Sequence, residues 1–289
     1  MTTMRIGAVQ PPLRQEDQDP VEYTRDHVLP LLMSSAYVDI FVLPELCPIG
    51  YSQHTLDHYL DDRDVQRQID ELMSNAARDL GAFIAYGRIG DSTSSGHDGQ
   101  PREMPRLTRT IQHVILDESG RVVASYSKML ICHYGDCAET RYFAAGTELC
   151  SFECRGFRLG ILICADMRNP LIARRLVAES HHMVDVVLQP AAFSRDFSFR
   201  TWKSFRETRA VENSIYWVGV NYAGAYYGNS SFNPPWIDED SEPTVLGMKE
   251  GVLVGTVERS ILDHVRSTMP YYEILMMTKD ECTDRNELS

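Results

Sequence analysis

The sequence has no excess of basic residues and no apolar run long enough to cross a membrane. Lys and Arg total 28 while Asp and Glu total 41, which gives a formal net charge of −13. A protein that binds a nucleic-acid backbone or an anionic lipid surface needs clustered cations. We therefore expect neither nucleic acid nor membrane among the partners of this chain.

The first residues also lack the basic segment followed by an apolar segment that marks a secretory signal peptide. The seven cysteines are an odd number, in a chain too long to need disulfide bonds for its stability. These two features predict a reduced, cytoplasmic protein. A repeat of fixed period is missing as well, which argues against a solenoid.

What is present is the composition of an ordinary globular protein, with 43% hydrophobic and 24% charged residues. Short apolar segments typical of strands alternate with segments of helical periodicity, such as residues 64–80, which end at Gly81. The alternation predicts an α/β protein with mixed sheets and helices on their faces. We expect one domain over residues 1–272, followed by a C-terminal tail or dimer arm over residues 273–289.

Three predicted strands end at a residue that can do chemistry. Glu45 follows the buried segment 39–43, Lys128 follows the segment 122–126, and Cys164 ends the apolar segment 158–164. A desolvated carboxylate can act as a general base, an ammonium group can stabilise an oxyanion, and a thiol can act as a nucleophile. Taken singly, each residue has an ordinary alternative: an ion pair or helix cap, a surface lysine, and a buried structural cysteine.

The three residues and their neighbours, taken in order, resemble the motifs of the nitrilase or carbon–nitrogen hydrolase superfamily. The similar segments run nearly end to end: residues 5–10, Pro44-Glu45 with Gly50-Tyr51, Ser127-Lys128, the E-x-R-x-F-x-x-G segment from Glu139 to Gly146, residues 160–168 around Cys164, residues 209–213, and residues 227–230.

This resemblance implies a four-layer αββα sandwich and a Glu-Lys-Cys triad formed by Glu45, Lys128 and Cys164, with Glu139 as a fourth catalytic residue beside Lys128. It implies a thiol hydrolase that cleaves a C–N bond through a thioester and needs no metal or other cofactor. Members of the superfamily commonly pair through outer helices. We therefore expect a homodimer or larger homo-oligomer, with the 200–213 helix and its Trp202 and Phe205 as a candidate interface.

The residues beside the expected nucleophile bear on the substrate. Ala165 stands where the superfamily usually has Tyr or Trp, which implies a different pocket wall. Asp166 resembles the amidase and carbamoylase branches, and Arg168 matches a position that in some branches holds a substrate carboxylate. We expect a small linear amide or N-carbamoyl substrate, with Tyr51, Ala165 and Arg168 in contact with it.

Other interpretations remain open at this point. The same triad could hydrolyse a nitrile, or the fold could serve as a catalytically silent binding or assembly protein. The spacings Cys132-x4-Cys137 and Cys150-x3-Cys154 also fall within the range of structural zinc sites.

Overall fold

The computed structural model describes residues 2–93, 107–133, 137–178 and 183–269. Within them the chain forms two mixed sheets of six strands each. The first sheet contains β1 Thr3–Gln10, β2 Ile40–Val42, β3 Phe83–Thr93, β4 Leu107–Leu116, β5 Val122–Ser127 and β12 Gly251–Glu258. The second contains β6 Ser151–Cys154, β7 Phe157–Ile161, β8 Val186–Pro190, β9 Tyr216–Val220, β10 Ser231–Asn233 and β11 Thr244–Val245.

The two sheets have the same plan. In the first, with strand order β12-β1-β2-β3-β4-β5, the strands β1, β2 and β3 are parallel and the outer pairs are antiparallel. In the second, with order β11-β10-β9-β8-β7-β6, the parallel strands are β7, β8 and β9. Parallel strands buried on both faces are continuously apolar, as β8 and β9 are.

The helices of the described residues are α1 Pro20–Tyr23, α2 Leu29–Met33, α3 Gln53–Tyr59, α4 Arg63–Leu80, α5 Glu139–Tyr142, α6 Pro170–Ala178, α7 Arg200–Asn213 and α8 Arg259–Thr268. The sheets face each other through β1 on β9, β12 on β10 and β5 on β6. Helix α4 packs on β3, and α7 packs on β9 and on α6. The order helix, sheet, sheet, helix confirms the predicted αββα sandwich.

The helix after the Asp19 N-cap changes its hydrogen bonding before Pro30, where the sequence predicts a kink or break. Residues Thr24–Val28 form a π-helical turn, and the Leu29 N–H bonds to the Thr24 carbonyl. Pro30 has no N–H to continue the α-helical ladder, which accounts for a local change of helix type.

Several boundaries differ from the sequence prediction. The Gly, Ser and Pro content of residues 91–106 predicts a loop, but β3 continues to Thr93, and residues 94–106 lie outside the described residues. The predicted tail 273–289 lies outside them as well. No helix among the described residues is long and apolar enough to cross a bilayer.

Candidate active site

The candidate residues lie on loops that follow the carboxyl ends of strands in both sheets. Glu45 follows β2 and Lys128 follows β5 in the first sheet, whereas Cys164 follows β7 in the second. β2 is parallel to β3, and two antiparallel steps bring β5 back to the same direction. Ligand sites of sheets with parallel strands form at this edge. Because the two sheets face each other, Cys164 lies close enough to Glu45 and Lys128 for their charges to act on its thiol.

Lys128 is fully buried between two buried carboxylates. Its Nζ donates to Glu45 Oε1 at 2.7 Å and to Glu139 Oε1 at 2.6 Å. None of the three side chains is more than 1% exposed. Buried charges require paired partners, and here one cation is shared by two anions. The structure thus brings together three of the four residues expected to be catalytic.

Main-chain N–H groups and tyrosines complete the hydrogen bonding of the two carboxylates. Glu45 Oε2 accepts from the Ala192 N–H at 3.0 Å, and Glu139 Oε2 accepts from the Cys132 N–H at 2.7 Å. The Tyr51 hydroxyl donates to Glu139 Oε1, and the Tyr222 hydroxyl donates to the main-chain carbonyl oxygen of Glu45 at 2.8 Å. Sequence reasoning missed Ala192 and Cys132 as supports, since a main-chain donor leaves no mark in the residue type. It also missed Tyr222, whose hydroxyl reaches Glu45 from a distant part of the chain.

The cluster places the pKa of Glu45 near neutrality. Burial raises the pKa from 4.5 to about 7, because desolvation and the neighbouring Glu139 charge outweigh the attraction of Lys128 and the Ala192 N–H. A carboxyl with this pKa exchanges a proton readily near pH 7, as a general base must.

The surroundings raise the pKa of both Cys164 and Lys128, which keeps the thiol neutral and the lysine charged. Burial, followed by the Glu45 charge, raises the pKa of the Cys164 thiol well above its usual value, although Lys128 pulls it down. Burial alone lowers the pKa of Lys128, but the charges of Glu45 and Glu139 overcome it and raise that pKa well above its usual value. The lysine is therefore a fixed cation, and the resting thiol keeps its proton.

Cys164 opens a 3-10 turn and has a left-handed backbone with φ 45°. Leu46, directly after Glu45, is left-handed too, with φ 53°. Non-glycine residues in this region are strained and concentrate at functional sites. The expected strand 158–164 ends at Ile161, so the cysteine lies on the turn, where its side chain is partly exposed.

Asp166 ties this turn to the loop that carries Lys128. Its Oδ1 accepts from the N–H groups of Met129 and Leu130 at 3.2 and 2.7 Å. Its Oδ2 accepts from the Ile163 N–H at 2.9 Å and the Tyr126 hydroxyl at 2.8 Å. A completely buried carboxylate with four donors fixes the distance between the two loops.

Two glycines allow the loops to approach this closely. A Cβ on Gly146 would lie 2.2 Å from the Ser127 carbonyl oxygen, next to Lys128, and a Cβ on Gly87 would lie 2.3 Å from the Leu46 nitrogen, next to Glu45. Such distances do not occur in real structures, so both positions require the absence of a side chain.

A cavity of ≈ 430 Å³ opens beside the cluster. Its lining residues come from loops of both sheets and are Tyr51, Ser52, Gln53, Leu56, Cys137, Ala138, Glu139, Tyr142, Ala192, Ser194, Asp196, Phe197 and Tyr227. Tyr51, Glu139 and Ala192 both line the cavity and support the cluster. A ligand in the cavity would therefore lie against the buried cluster.

The residues expected to contact substrate have different surroundings. Tyr51 lines the cavity, whereas Ala165 and Arg168 are not among the lining residues. The Arg168 guanidinium donates to Ser198 Oγ at 3.1 Å and stacks on the rings of Phe193 and Phe205. A role of Ala165 and Arg168 in binding substrate remains a prediction.

The cysteine spacings that could indicate zinc do not form a ligand cluster in the part of the chain that the structure describes. No group of three or more His, Cys, Asp or Glu side chains suited to a metal occurs there. Cys47, Cys137, Cys150, Cys154 and Cys164 are free thiols, and Cys154 is buried at the end of β6.

Comparisons with known proteins bear on the family and the fold of this chain. A family model described as carbon-nitrogen hydrolase matches residues 5–261. A hydrolase encoded near pqqF in Pseudomonas protegens is 27% identical over 279 residues, which cover 93% of this chain and 88% of that protein. The omega-amidase YafV of Escherichia coli is 28% identical over 187 residues, which cover 65% of this chain and 63% of that protein.

The deaminated glutathione amidase of Rattus norvegicus is 25% identical, and the match covers 69% of this chain and 61% of that enzyme. Among solved structures, an amidase from Nesterenkonia sp. AN1 with acrylamide added at its active site cysteine superposes with a TM-score of 0.71. That comparison covers 91% of this chain and 97% of the other at 23% identity, so it bears on the fold.

Proposed function

The chain belongs to the carbon–nitrogen hydrolase family, and from its site we propose that it hydrolyses a small linear amide or N-carbamoyl compound through a thioester on Cys164. The enzymes of this family act on C–N bonds other than peptide bonds. The observation that carries the proposal is the buried cluster in which Lys128 is shared by Glu45 and Glu139, close enough to Cys164 for their charges to act on its thiol.

In the first half of the proposed reaction, Glu45 accepts the proton of the Cys164 thiol while the sulfur attacks the carbonyl carbon. The charge on the carbonyl oxygen is stabilised by the Lys128 ammonium group and the Ala165 N–H. When the tetrahedral intermediate collapses, the C–N bond breaks and protonated Glu45 gives its proton to the leaving ammonia or amine. An acyl thioester remains on Cys164.

In the second half, Glu45 accepts a proton from water, and the resulting hydroxide attacks the thioester carbon. The C–S bond breaks, the acid or carbamate product leaves, and the proton returns from Glu45 to the sulfur. Glu139 stays bound to Lys128 throughout and acts as a positioning residue. The cycle consumes one water and requires no metal or other cofactor.

The pKa values of Glu45 and Cys164 support these roles. With a pKa of about 7, Glu45 is close to half ionised at neutral pH and can both accept and return a proton. The raised pKa of Cys164 keeps the thiol neutral until substrate arrives. A neutral thiol beside an ionised carboxylate is the resting state that this reaction needs.

The test is ammonia release from a panel of linear amides, N-carbamoyl amino acids and aliphatic nitriles. Replacing the nucleophile by Cys164→Ala or Cys164→Ser should lower kcat/KM by at least about a thousandfold, the scale of losing a covalent nucleophile. Mass spectrometry of the rapidly quenched protein should find the acyl group on the Cys164 peptide.

Cys150→Ser is the matched control, since this cysteine lines a separate cavity with Leu149 and Arg175 and should leave turnover as it is. Undiminished hydrolysis by purified Cys164→Ala protein would refute the mechanism. Turnover of the nitriles alone would replace the amide assignment by the nitrile alternative. A folded protein that releases no ammonia from any member of the panel would favour the silent binding protein.

We also propose that the protein works in the cytoplasm as a homodimer or larger homo-oligomer, without nucleic acid or membrane partners. The free thiols of Cys47, Cys137, Cys150, Cys154 and Cys164 are compatible with a reducing compartment. The acidic net charge disfavours polyanionic partners. Fractionation of the source cells tests the location.

A further inference from the structure

The charged groups that line the cavity are all acidic among the described residues. Glu139 and Asp196 line it, and no Lys, Arg or His side chain does. Glu139 is already engaged by Lys128, Tyr51 and the Cys132 N–H. Asp196 is therefore the lining charge that is available to a ligand.

The Asp196 carboxylate is held in place by one of its oxygens. Oδ1 accepts from the Ser198 N–H and from the Ser198 hydroxyl, both at 2.7 Å. Oδ2 makes no hydrogen bond to the residues that the structure describes, and the side chain is exposed. One oxygen is thus oriented by the turn while the other can accept from a ligand without reorganising the loop.

Aromatic rings line the same cavity as this carboxylate. Phe197 follows Asp196 directly and is 86% exposed, and Tyr227 lies in the lining as well. The face of an aromatic ring attracts a cation, and the ring also covers the methylene groups next to it. A cavity lined by both a carboxylate and aromatic rings is suitable for an alkylammonium group.

Three arginines that could be considered as partners for a substrate carboxylate are directed elsewhere. Arg168 donates to Ser198 and stacks on two rings. Arg195 donates to the Tyr227 carbonyl and to Asn229 and stacks on Phe199. Arg141 stacks on Tyr142 and pairs with Asp57. None of the three lines the cavity that would receive the substrate.

The buried cluster adds to the negative field. With Glu45 ionised, one lysine faces two carboxylates, so the cluster carries a net charge of −1 on these three groups. The whole chain has a net charge of −13. A substrate carboxylate would enter this field against repulsion, whereas a cationic group would be attracted.

We propose that the cavity selects amides whose far end carries a positive charge, and that Asp196 binds this end. The substrate class is an ω-ammonium alkyl amide or its carbamoyl equivalent, and the proposal rests on the hydrolysis assigned to Cys164. The preference is opposite to the carboxylate-bearing substrate that Arg168 suggests from the sequence. Charge selection by Asp196 does not require Arg168 to move from its aromatic contacts.

The test compares three amides of equal chain length that differ in their far end: hexanamide, 6-aminohexanamide and adipamate. Ammonia release should give a kcat/KM for the ammonium amide about tenfold above that for the carboxylate amide, the scale of favourable and unfavourable charge contacts at a partly exposed site. In Asp196→Asn, the ratio of kcat/KM between 6-aminohexanamide and hexanamide should fall about fivefold.

Asparagine keeps an oxygen for the Ser198 contacts, so this variant removes charge without removing the turn. Asp240→Asn changes the net charge equally at an exposed position away from the cavity and should leave the ratio as in the parent. Asp196→Lys should reverse the preference toward adipamate. A parent enzyme that prefers adipamate, or an Asp196→Asn ratio equal to the parent's, would overturn the proposal.

Binding to Cys164→Ala protein separates this proposal from the hydrolysis itself. Calorimetry should show the same order of affinity, with 6-aminohexanamide the tightest of the three. This order without ammonia release from the parent enzyme would support charge selection and refute the hydrolase assignment. Equal affinities together with Cys164-dependent turnover would refute charge selection and leave the hydrolase assignment standing.

Discussion

At the scale of single residues, the protonation of Glu45 controls the proposed chemistry. Its pKa of about 7 means that the carboxyl is protonated at lower pH and cannot accept the Cys164 proton. We expect kcat/KM to rise with pH through a midpoint near 7 and to fall about tenfold per pH unit well below it. Initial rates of ammonia release between pH 5 and pH 9, in buffers of constant ionic strength, measure this profile.

Alkylation of Cys164 by iodoacetamide gives a second readout that does not depend on turnover. In the parent protein the rate of alkylation should rise with pH through the same midpoint near 7, because ionised Glu45 assists removal of the thiol proton. In Glu45→Gln the midpoint near pH 7 should disappear, since the amide does not titrate. Peptide mapping distinguishes Cys164 from the other cysteines. A midpoint that persists in Glu45→Gln would assign the titration to another group.

At the scale of the elements, Asp166 joins the nucleophile turn to the loop after β5. Asp166→Asn replaces one acceptor oxygen by an NH2 group that faces existing donors, so two buried hydrogen bonds become unsatisfied. We expect a loss of about 2–4 kcal/mol in the free energy of unfolding. Tyr126→Phe removes only one of the four donors and should cost about 1 kcal/mol. Urea denaturation followed by tryptophan fluorescence measures both.

The comparison between these two variants decides the role of the carboxylate. Equal small losses would show that Asp166 is no more than one hydrogen-bond partner among several. A large loss for Asp166→Asn with a small one for Tyr126→Phe would show that the carboxylate holds the two loops together. Because Cys164 and Lys128 lie on these loops, the folded fraction of the Asp166→Asn protein should also hydrolyse its substrate more slowly.

The strands and helices also show how much of the secondary structure could be predicted from the sequence. Strands and helices with strong periodicity were predictable: α4 Arg63–Leu80 matches the predicted 64–80 helix and ends at Gly81, and α7 matches residues 200–213. Short elements such as α3, α5, β10 and β11 were missed, because a few residues carry too little periodicity to stand out. The β7 boundary was placed too late, since the side chain of Asp166 ends the strand early by bonding to Ile163 N–H.

The candidate site was likewise predictable from the sequence only in part. The types of Glu45, Lys128, Glu139 and Cys164 and their order along the chain indicated the cluster through resemblance to a family. The donors from Ala192 and Cys132 could not be predicted, because main-chain groups are the same in every residue. The contact of Asp196 with the cavity depends on how two distant loops meet, and periodicity contains no information about that.

At the scale of the whole molecule, the site exists only where the two sheets meet. The Tyr222 hydroxyl and the Ala192 N–H come from the second sheet and hold Glu45 of the first. Asp166 of the second sheet holds the main chain beside Lys128. Each half of the sandwich therefore positions residues of the other, and the active geometry should be lost as soon as the sheets separate.

The outer helix α7 provides the whole-molecule prediction. Trp202, which the sequence suggested for an interface, is buried within its own chain and bonds to the Asn229 carbonyl, whereas Ser204 and Thr208 are exposed. If copies of the chain pair through α7, a charge placed at Thr208 becomes buried in the interface. Thr208→Glu should then cost about 2 kcal/mol or more of association energy and raise the dissociation constant about thirtyfold.

Sedimentation equilibrium over micromolar concentrations measures this change against the chain mass of 32.9 kDa. Ala36→Glu adds the same charge at an exposed position that follows α2, on the other side of the sandwich, and should leave the association as in the parent. The two variants have equal net charge, so a difference between them reports the position of the interface and not general repulsion. A parent protein that sediments as a monomer would remove the oligomer proposal altogether. A parent oligomer weakened equally by both variants would place the interface away from α7, and the helix would then serve only to cover the second sheet.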